Sequence, residues 1–357
     1  MQCLDVLDDA PAGFRAFYGQ SYLFLVRHLS WVWKFSYALL DHDLIYRCVQ
    51  PFRRAWNLWI TRQFKARLIR EAPTVVITTH FLAADVCSAG KRSGWLTSRF
   101  VVVVTDFHPH WFWVSREPDA MVVSTEASVA LLVKRGVARA RIHLLGIPIA
   151  HTFSEPVDRA ALRQRFGLAA ERLTILVTSG GTTVGQFERV VQGLVELEAA
   201  LPGRMQLLVV CGEDRGAKDR LTQHTQAGPM PVKVFGFIDF MAELMGASDL
   251  IVAKAGGLTV SEALGRGVPL VLYHIIPGQE RSNAEYVARY GAGVIALHPS
   301  DVARTVRRLI SEPTALEAMR QAARALSRPD SAKAIISNVV EPLLRRDSIV
   351  GGQVHVD

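Results

Sequence analysis

From about residue 74 onward the chain alternates between short, mainly apolar runs and longer stretches in which apolar residues recur three and four positions apart. The runs fall at 74–79, 100–105, 121–124 and 142–145, and then at 173–178, 205–211, 232–235, 250–253, 270–273 and 293–296. Runs of four to seven residues rich in Val, Ile and Leu, with no polar alternation, read as strands buried on both faces. Strands of that kind belong to parallel sheets sandwiched by helices. Gly146-Ile147-Pro148 closes the first set, and an amphipathic helix at 159–166 opens the second. Two helices at 299–310 and 313–326 and a last one at 331–346 follow, so the pattern predicts two α/β lobes, 1–150 and 151–330, a C-terminal helix and a tail at 347–357. The first 70 residues read differently. They are helical in pattern, with turns expected at Gly19, at Asp41-His42-Asp43 and at Pro51.

The length of 357 residues suits two domains, and the half of the chain that is apolar is enough to fill two cores. Four cysteines without CxxC spacing point to neither a disulfide framework nor a zinc site, and so to a reducing compartment. Charge changes the picture more. Residues 15–70 hold ten Lys or Arg and two acids, an excess equal to the +8 of the whole chain, and the same segment carries Trp31, Trp33, Trp56 and Trp59. Interfacial tryptophans among cations suit an anionic membrane surface. Nucleic acid is the competing polyanion, and a helical region with a buried aromatic face and a solvated basic one fits the same residues. We adopt the membrane and expect no nucleic-acid partner. Residues 18–40 are the most apolar stretch, but Arg27, His28 and Lys34 interrupt it, and Asp5, Asp8 and Asp9 stand where a secretory signal would be positive. The expected location is cytoplasmic and peripheral, on the inner face of the membrane.

Candidate chemistry lies in the glycine turns. Lys254-Ala255-Gly256-Gly257-Leu258-Thr259-Val260-Ser261-Glu262 leaves a predicted strand, turns and starts a helix. Backbone amides there can approach an anion, and the helix N-terminus favours negative charge, so a diphosphate fits; an ordinary strand-to-helix turn fits as well. Thr178-Ser179-Gly180-Gly181-Thr182-Thr183 follows the first strand of the same lobe in the same way. Glu262, a turn into the helix, can accept hydrogen bonds from both hydroxyls of a ribose, or can serve as a carboxylate favoured by the helix dipole.

These residues also resemble a family. Phe235-Gly236-Phe237-Ile238, Ala247-Ser248-Asp249 and the run from Lys254 to Glu262 are similar to the nucleotide-sugar lobe of glycosyltransferase family 28. Gly267-Val268-Pro269 and Ile276-Pro277-Gly278-Gln279-Glu280-Arg281-Ser282-Asn283 resemble its glycolipid branch, the monogalactosyldiacylglycerol synthases and processive diacylglycerol glucosyltransferases. Thr105-Asp106-Phe107-His108-Pro109-His110-Trp111 and Gly146-Ile147-Pro148-Ile149 resemble the same branch, so the likeness covers about 75–345.

The resemblance implies two Rossmann-like lobes of the GT-B type and inverting transfer of a hexose from UDP-glucose or UDP-galactose to diacylglycerol. It implies that Phe237 and Ile238 line the uracil pocket and that Glu262 holds the ribose. Gly180, Gly181, Thr182, Gly256, Gly257 and Thr259 would cradle the diphosphate, with Gln279, Glu280 and Asn283 facing the sugar. In the acceptor lobe it implies that His80, Asp106, His108 and Trp111 lie near the glycerol hydroxyl or a lipid headgroup, while the shared aromatic and basic composition of 15–70 puts Trp31 and Trp33 at the membrane. No metal is expected, since no Asp-x-Asp motif follows a strand and loops and helix N-termini can stabilise the leaving group electrostatically.

The family pattern begins with a strand and a glycine-rich loop ending in histidine, and this sequence has neither. Gln2-Cys3-Leu4-Asp5-Val6-Leu7-Asp8 is similar to the family's second strand. Either the true start lies upstream of Met1 or the element was lost; without that central strand a neighbour's backbone is unpaired, and Asp106 becomes the substitute candidate for general base, with His108 beside it. Two alternatives follow: N-acetylglucosaminyl transfer to a polyprenyl-linked peptidoglycan precursor, and a nucleotide-sugar-binding protein without catalysis.

Overall fold

The computed structural model describes residues 2–11, 13–15, 29–180, 186–226, 228–276 and 278–350. The chain forms two compact units, Met1–Pro148 with Ser331–Asp357, and Ile149–Asp330.

The first unit opens with three helices, α1 (Ser30–Leu40), α2 (Asp43–Ile60) and α3 (Arg62–Glu71). It continues through β1 (Val75–Thr78), α4 (Phe81–Arg92), β2 (Arg99–Val103), β3 (Ala120–Val123), α5 (Glu126–Lys134) and β4 (Ile142–Leu144). The four strands are parallel, in the order β1-β2-β3-β4. One sheet face buries Phe100, Val102 and Met121 against Phe64, Leu68, Leu82 and Val86 of the helices. The turn at Asp41-His42 separates α1 from α2 as expected. Pro51 does not make a turn: it sits inside α2. The missing N–H breaks one helical hydrogen bond, while burial of Tyr46, Asn57 and Ile60 on one side holds the helix on either side of it. The expected strand at the start is also absent, since residues 2–5 are irregular and 6–9 form a turn. Asp5 organises that turn, accepting from Leu7 N at 2.8 Å and, through its carbonyl, from Asp8 N at 3.1 Å. Among the described residues β1 pairs only with β2, and Ile77 at this edge is exposed.

The second unit runs α6 (Arg159–Arg165), β5 (Leu173–Thr178), α7 (Phe187–Leu197), β6 (Met205–Val210), α8 (Arg215–Thr225), β7 (Val232–Phe235) and α9 (Met241–Ala247). Then come β8 (Leu250–Ala253), α10 (Gly257–Gly265), β9 (Leu270–Tyr273), α11 (Gln279–Arg289), β10 (Gly293–Ala296), α12 (Pro299–Ser311) and α13 (Pro313–Leu326). Six parallel strands lie in the order β10-β9-β8-β5-β6-β7. From β5 the chain builds outward through β6 and β7, then returns to place β8 on the other side of β5. The crevice between β5 and β8 is therefore the point where the winding reverses, and in open α/β sheets ligands bind outside the carboxyl ends of the strands at that point. At the opposite end of β8, Asp249 accepts hydrogen bonds from Thr174 N at 2.9 Å and from Arg159, Arg163 and Arg320. The Ala247-Ser248-Asp249 motif is thus a fastening for α6 and α13, remote from the ligand edge.

After α13 the chain returns to the first unit. There α14 (Ser331–Ile335), a π-turn at Ile336–Val340 and α15 (Glu341–Val350) run on beyond the expected end at 346. Ile335, Val339, Val340 and Leu343 cover the second face of the first sheet, over Val101, Val103, Ala120 and Val122.

Candidate functional site

In the second unit the two glycine turns leave adjacent strands, β5 and β8, whose Val177 and Val252 stand side by side. Gly180 has φ +80°, a conformation glycine adopts without cost, and its N–H reaches Thr178 Oγ1 at 3.3 Å. Gly181 and Thr182 lie outside the described residues. Gly256 is the N-cap of α10 at φ −64°, and among the described residues a Cβ added there would meet nothing closer than Thr259 Oγ1 at 3.9 Å. Gly257, Leu258 and Thr259 form the first turn of α10, with its N–H groups that the helix itself leaves unsatisfied.

Glu262 is partly buried on α10, and burial pushes its carboxyl up to about 7. No hydrogen bond to that carboxyl is made among the described residues. A desolvated carboxylate without a partner is the condition that a ribose diol would relieve. Phe237 and Ile238 follow β7 at the same sheet edge, with Phe237 75% exposed. At an inter-strand spacing of about 4.8 Å, β7 lies roughly 10 Å from β5, which suits a base held away from its diphosphate.

The Pro-Gly-Gln-Glu segment and the Asn283 that follows it make structural bonds of their own. Asn283 is fully buried, and its amide donates to Ala255 O at 2.9 Å, so it fixes the glycine turn. Glu280 accepts from Ile276 N at 3.0 Å and ties down the loop before α11; burial raises its carboxyl. Gln279 is the first residue of α11, after Gly278 at φ +110°. Two residues that the motif reading passed over stand here as well. His274 holds a left-handed φ of +46°, unusual for a side-chain-bearing residue, at the carboxyl end of β9. Lys254 directly follows β8, and its charge acts on both His274 and Glu280.

In the first unit β1 and β2 are parallel neighbours, so the segments after them share an edge: His80 after β1, Asp106 and His108 after β2. His80 is exposed, and its Nδ1 accepts from Leu82 N at 3.2 Å, capping α4. Asp106 is buried, with Oδ2 accepting from Trp113 Nε1 at 3.0 Å, and desolvation pushes its carboxyl up to about 6. The loop carrying it is pinned by Ser128 and Thr125 hydroxyls donating to Phe107 O and by Arg135 donating to Pro109 O at 2.8 Å. His108 is partly buried in that loop. Trp111 is engaged in packing: its backbone N–H donates to Asp41 Oδ1 at 3.0 Å, its ring stacks on Tyr46, and the Arg135 guanidinium lies over it. Asp41, from the α1–α2 turn, also pairs with Arg135 at 3.0 Å, so the aromatic helices are clipped to the loop that carries Asp106.

Those helices turn a hydrophobic face outward. Trp31, Phe35, Leu44, Phe52, Trp56 and Trp59 are each more than half exposed. The Trp33 side chain lies outside the described part of the structure. Arg53, in the shallow hollow beside Phe52, Trp56 and Trp59, pairs inward with buried Asp85 at 3.0 Å and anchors α2 to α4. Among the described residues no helix is long and apolar enough to cross a membrane, and no three His, Cys, Asp or Glu converge as metal ligands.

Comparison with known proteins decides the family. Residues 2–149 match the monogalactosyldiacylglycerol (MGDG) synthase family, and residues 174–335 match the glycosyltransferase family 28 C-terminal domain. The processive diacylglycerol beta-glucosyltransferase of Bacillus pumilus is 31% identical over 271 residues, 75% of this chain and 69% of that protein. The chain belongs to glycosyltransferase family 28, in its glycolipid branch. Solved structures give the same fold at lower identity. MurG of Acinetobacter baumannii superposes with a TM-score of 0.59 at 19% identity, covering 82% of this chain and 79% of that one. S. aureus MnaA with UDP superposes at 0.63 and 13% identity, covering 82% and 81%. Both support the GT-B architecture of paired parallel α/β lobes.

Proposed function

We propose that this family 28 glycosyltransferase moves a hexose from a UDP-sugar to diacylglycerol at an anionic membrane surface, with inversion at the anomeric carbon. The observation that carries the reading is the 31% identity to a diacylglycerol glucosyltransferase, which extends across three quarters of the chain. Glucose is the sugar that relative's name suggests.

In the donor unit, Phe237 and Ile238 take the uracil and Glu262 accepts from the ribose hydroxyls. The amides of the Gly180 and Gly256-Gly257 turns surround the diphosphate, and Asn283 and Glu280 hold the loops that present it. In the acceptor unit, Asp106 removes the proton from the glycerol hydroxyl. A carboxyl near 6 is mostly ionised at pH 7.5 and still basic enough to accept a proton in the transition state. Trp113 keeps one of its oxygens fixed, and His108 lies beside the incoming headgroup. The face of α1 and α2 seats on the bilayer through Trp31, Phe52, Trp56 and Trp59, with cations of residues 15–70 attracted to anionic lipid.

UDP release provides the test. Free UDP should accumulate when the chain meets UDP-glucose or UDP-galactose together with diacylglycerol in phosphatidylglycerol vesicles, and stay at background when either is omitted. Equal release without diacylglycerol would mean that water, not the lipid, accepts the sugar.

A further inference from the structure

A lipid hydroxyl that reacts while its acyl chains stay in the bilayer is fixed in height by the membrane, so the base that meets it must be fixed in height as well. A misplacement of about 1 Å can cost on the order of a hundredfold in rate. In the first unit the helices α1 and α2 and the loop that carries Asp106 lie far apart in sequence, and they meet at one turn. Asp41, between α1 and α2, uses Oδ1 to accept from Trp111 N and from the Arg135 guanidinium, each at 3.0 Å. Arg135, whose side chain is only 9% exposed, reaches on to Pro109 O at 2.8 Å. A second tie runs beside the first. His110 Nδ1 accepts from Phe112 N at 3.1 Å, so its other nitrogen carries the proton and donates at 3.0 Å to Tyr37 O, in the last turn of α1. Trp111, held by Asp41, and Trp113, which donates to Asp106, belong to a single 3-10 turn, so a shift of the α1–α2 turn carries to the carboxylate. A largely desolvated ion pair contributes little net stability over an apolar replacement; what this one adds is a fixed arrangement of loop against helices.

We propose that Asp41 is a positioning residue for the transfer: it sets the loop that carries Asp106 at a fixed height relative to the membrane-facing helices, so that the base meets a hydroxyl at the bilayer surface. Asp41 touches neither substrate and moves no proton. The assignment rests on the reading of Asp106 as the base and of α1 and α2 as the membrane face, and it adds the joint between them.

The experiment measures hexosyl-diacylglycerol formation in phosphatidylglycerol vesicles by the wild type, Asp41→Ala, Asp41→Asn and Asp41→Glu, with vesicle sedimentation and hydrogen exchange of residues 106–113 on the same full chains. Asparagine keeps an oxygen for Trp111 N and Arg135, and alanine removes it. Glutamate keeps the charge but lengthens the arm, so it displaces the loop even if the alanine variant does not fold. The expected result for Asp41→Ala is faster exchange in the loop and a fall in kcat of about tenfold or more, with KM for the UDP-sugar and vesicle affinity within about twofold of the wild type. Asp41→Glu should lose kcat in the same sense, and Asp41→Asn should keep most of it. A residue that only fastened the fold would lower the melting temperature and leave the kcat of the folded protein unchanged. Wild-type kcat in both Asp41→Ala and Asp41→Glu, or a loss of vesicle affinity as large as the loss of kcat, would overturn the assignment. A wild-type chain that forms no product would instead overturn the transfer reading, and full turnover by Asp106→Asn would overturn the choice of base.

Discussion

Asp106 in the first unit and Glu262 in the second both have carboxyl groups that burial holds partly away from water, and in each the gain in function works against stability. Asp106 has its carboxyl pushed up to about 6 by burial, so the folded protein binds a proton there more tightly than the unfolded chain does. Its contribution to stability is present at low pH and is lost as pH rises from about 4 through 6. Asp106→Asn keeps an oxygen for Trp113 Nε1 and removes the buried charge. We expect it to be more stable than the wild type at pH 7.5, by up to about 3 kcal/mol, with the difference vanishing below pH 4 in thermal melts. If Asp106 is the base, the same variant should lose about a hundredfold or more in turnover. Glu262, pushed up to about 7, gives a second test. Only its ionised form accepts from both ribose hydroxyls. Uridine affinity should therefore climb between pH 6 and 8, by somewhat under tenfold, and Glu262→Gln should flatten that rise; uridine is the probe because it carries no phosphate that titrates in the same range. Neither shift was visible in the sequence, because burial is a property of what folds around a carboxylate. The identities of both residues were visible, through the turns that carry them.

Among the elements, the strands and the glycine turns were the most legible parts of the chain. Strands such as 250–253 and 270–273 are continuous apolar runs, which only a sheet covered on both sides can bury. Where pattern reading failed, the deciding partner was distant or local chemistry was overruled. Pro51 reads as a break, yet packing of Tyr46 and Asn57 on either side keeps α2 continuous. Asn283 reads as a sugar ligand, and the fold of α11 beside α10 also gives its amide a bond to Ala255 O that no motif announces. Asn283→Ala should strand a buried carbonyl, costing about 1–3 kcal/mol and weakening UDP binding because the turn shifts; denaturant titration and UDP titration measure the two effects. The helices α1 and α2 carry a prediction of their own. Replacing Phe52, Trp56 and Trp59 together by Ser should reduce sedimentation with phosphatidylglycerol vesicles without lowering UDP affinity, and the loss should exceed that seen when salt is raised. Undiminished vesicle binding by that variant would return α1 and α2 to the role of solvated scaffold.

On the scale of the molecule, the chain leaves the first unit at Pro148 and comes back to it at Ser331, a return that no periodicity could announce. The apolar stripe of 331–343 resembles any amphipathic helix; its partners, Val101, Val103, Ala120 and Val122, lie more than 200 residues earlier. Val339→Asp should therefore damage the first unit while leaving the second able to bind nucleotide. We expect a lowered first melting transition alongside an unchanged UDP-dependent shift of the other, since UDP stabilises only the unit that binds it. The account as a whole stands on the transfer of a sugar to a lipid. Its most direct test is mass-spectrometric analysis of lipids after the chain is incubated with UDP-glucose, UDP-galactose or UDP-N-acetylglucosamine and diacylglycerol in phosphatidylglycerol liposomes. A hexosyl-diacylglycerol, formed from one of the two UDP-hexoses and absent with Asp106→Asn, is the predicted result. No glycosylated diacylglycerol from any donor, under conditions where the chain binds both UDP and the vesicles, would contradict it.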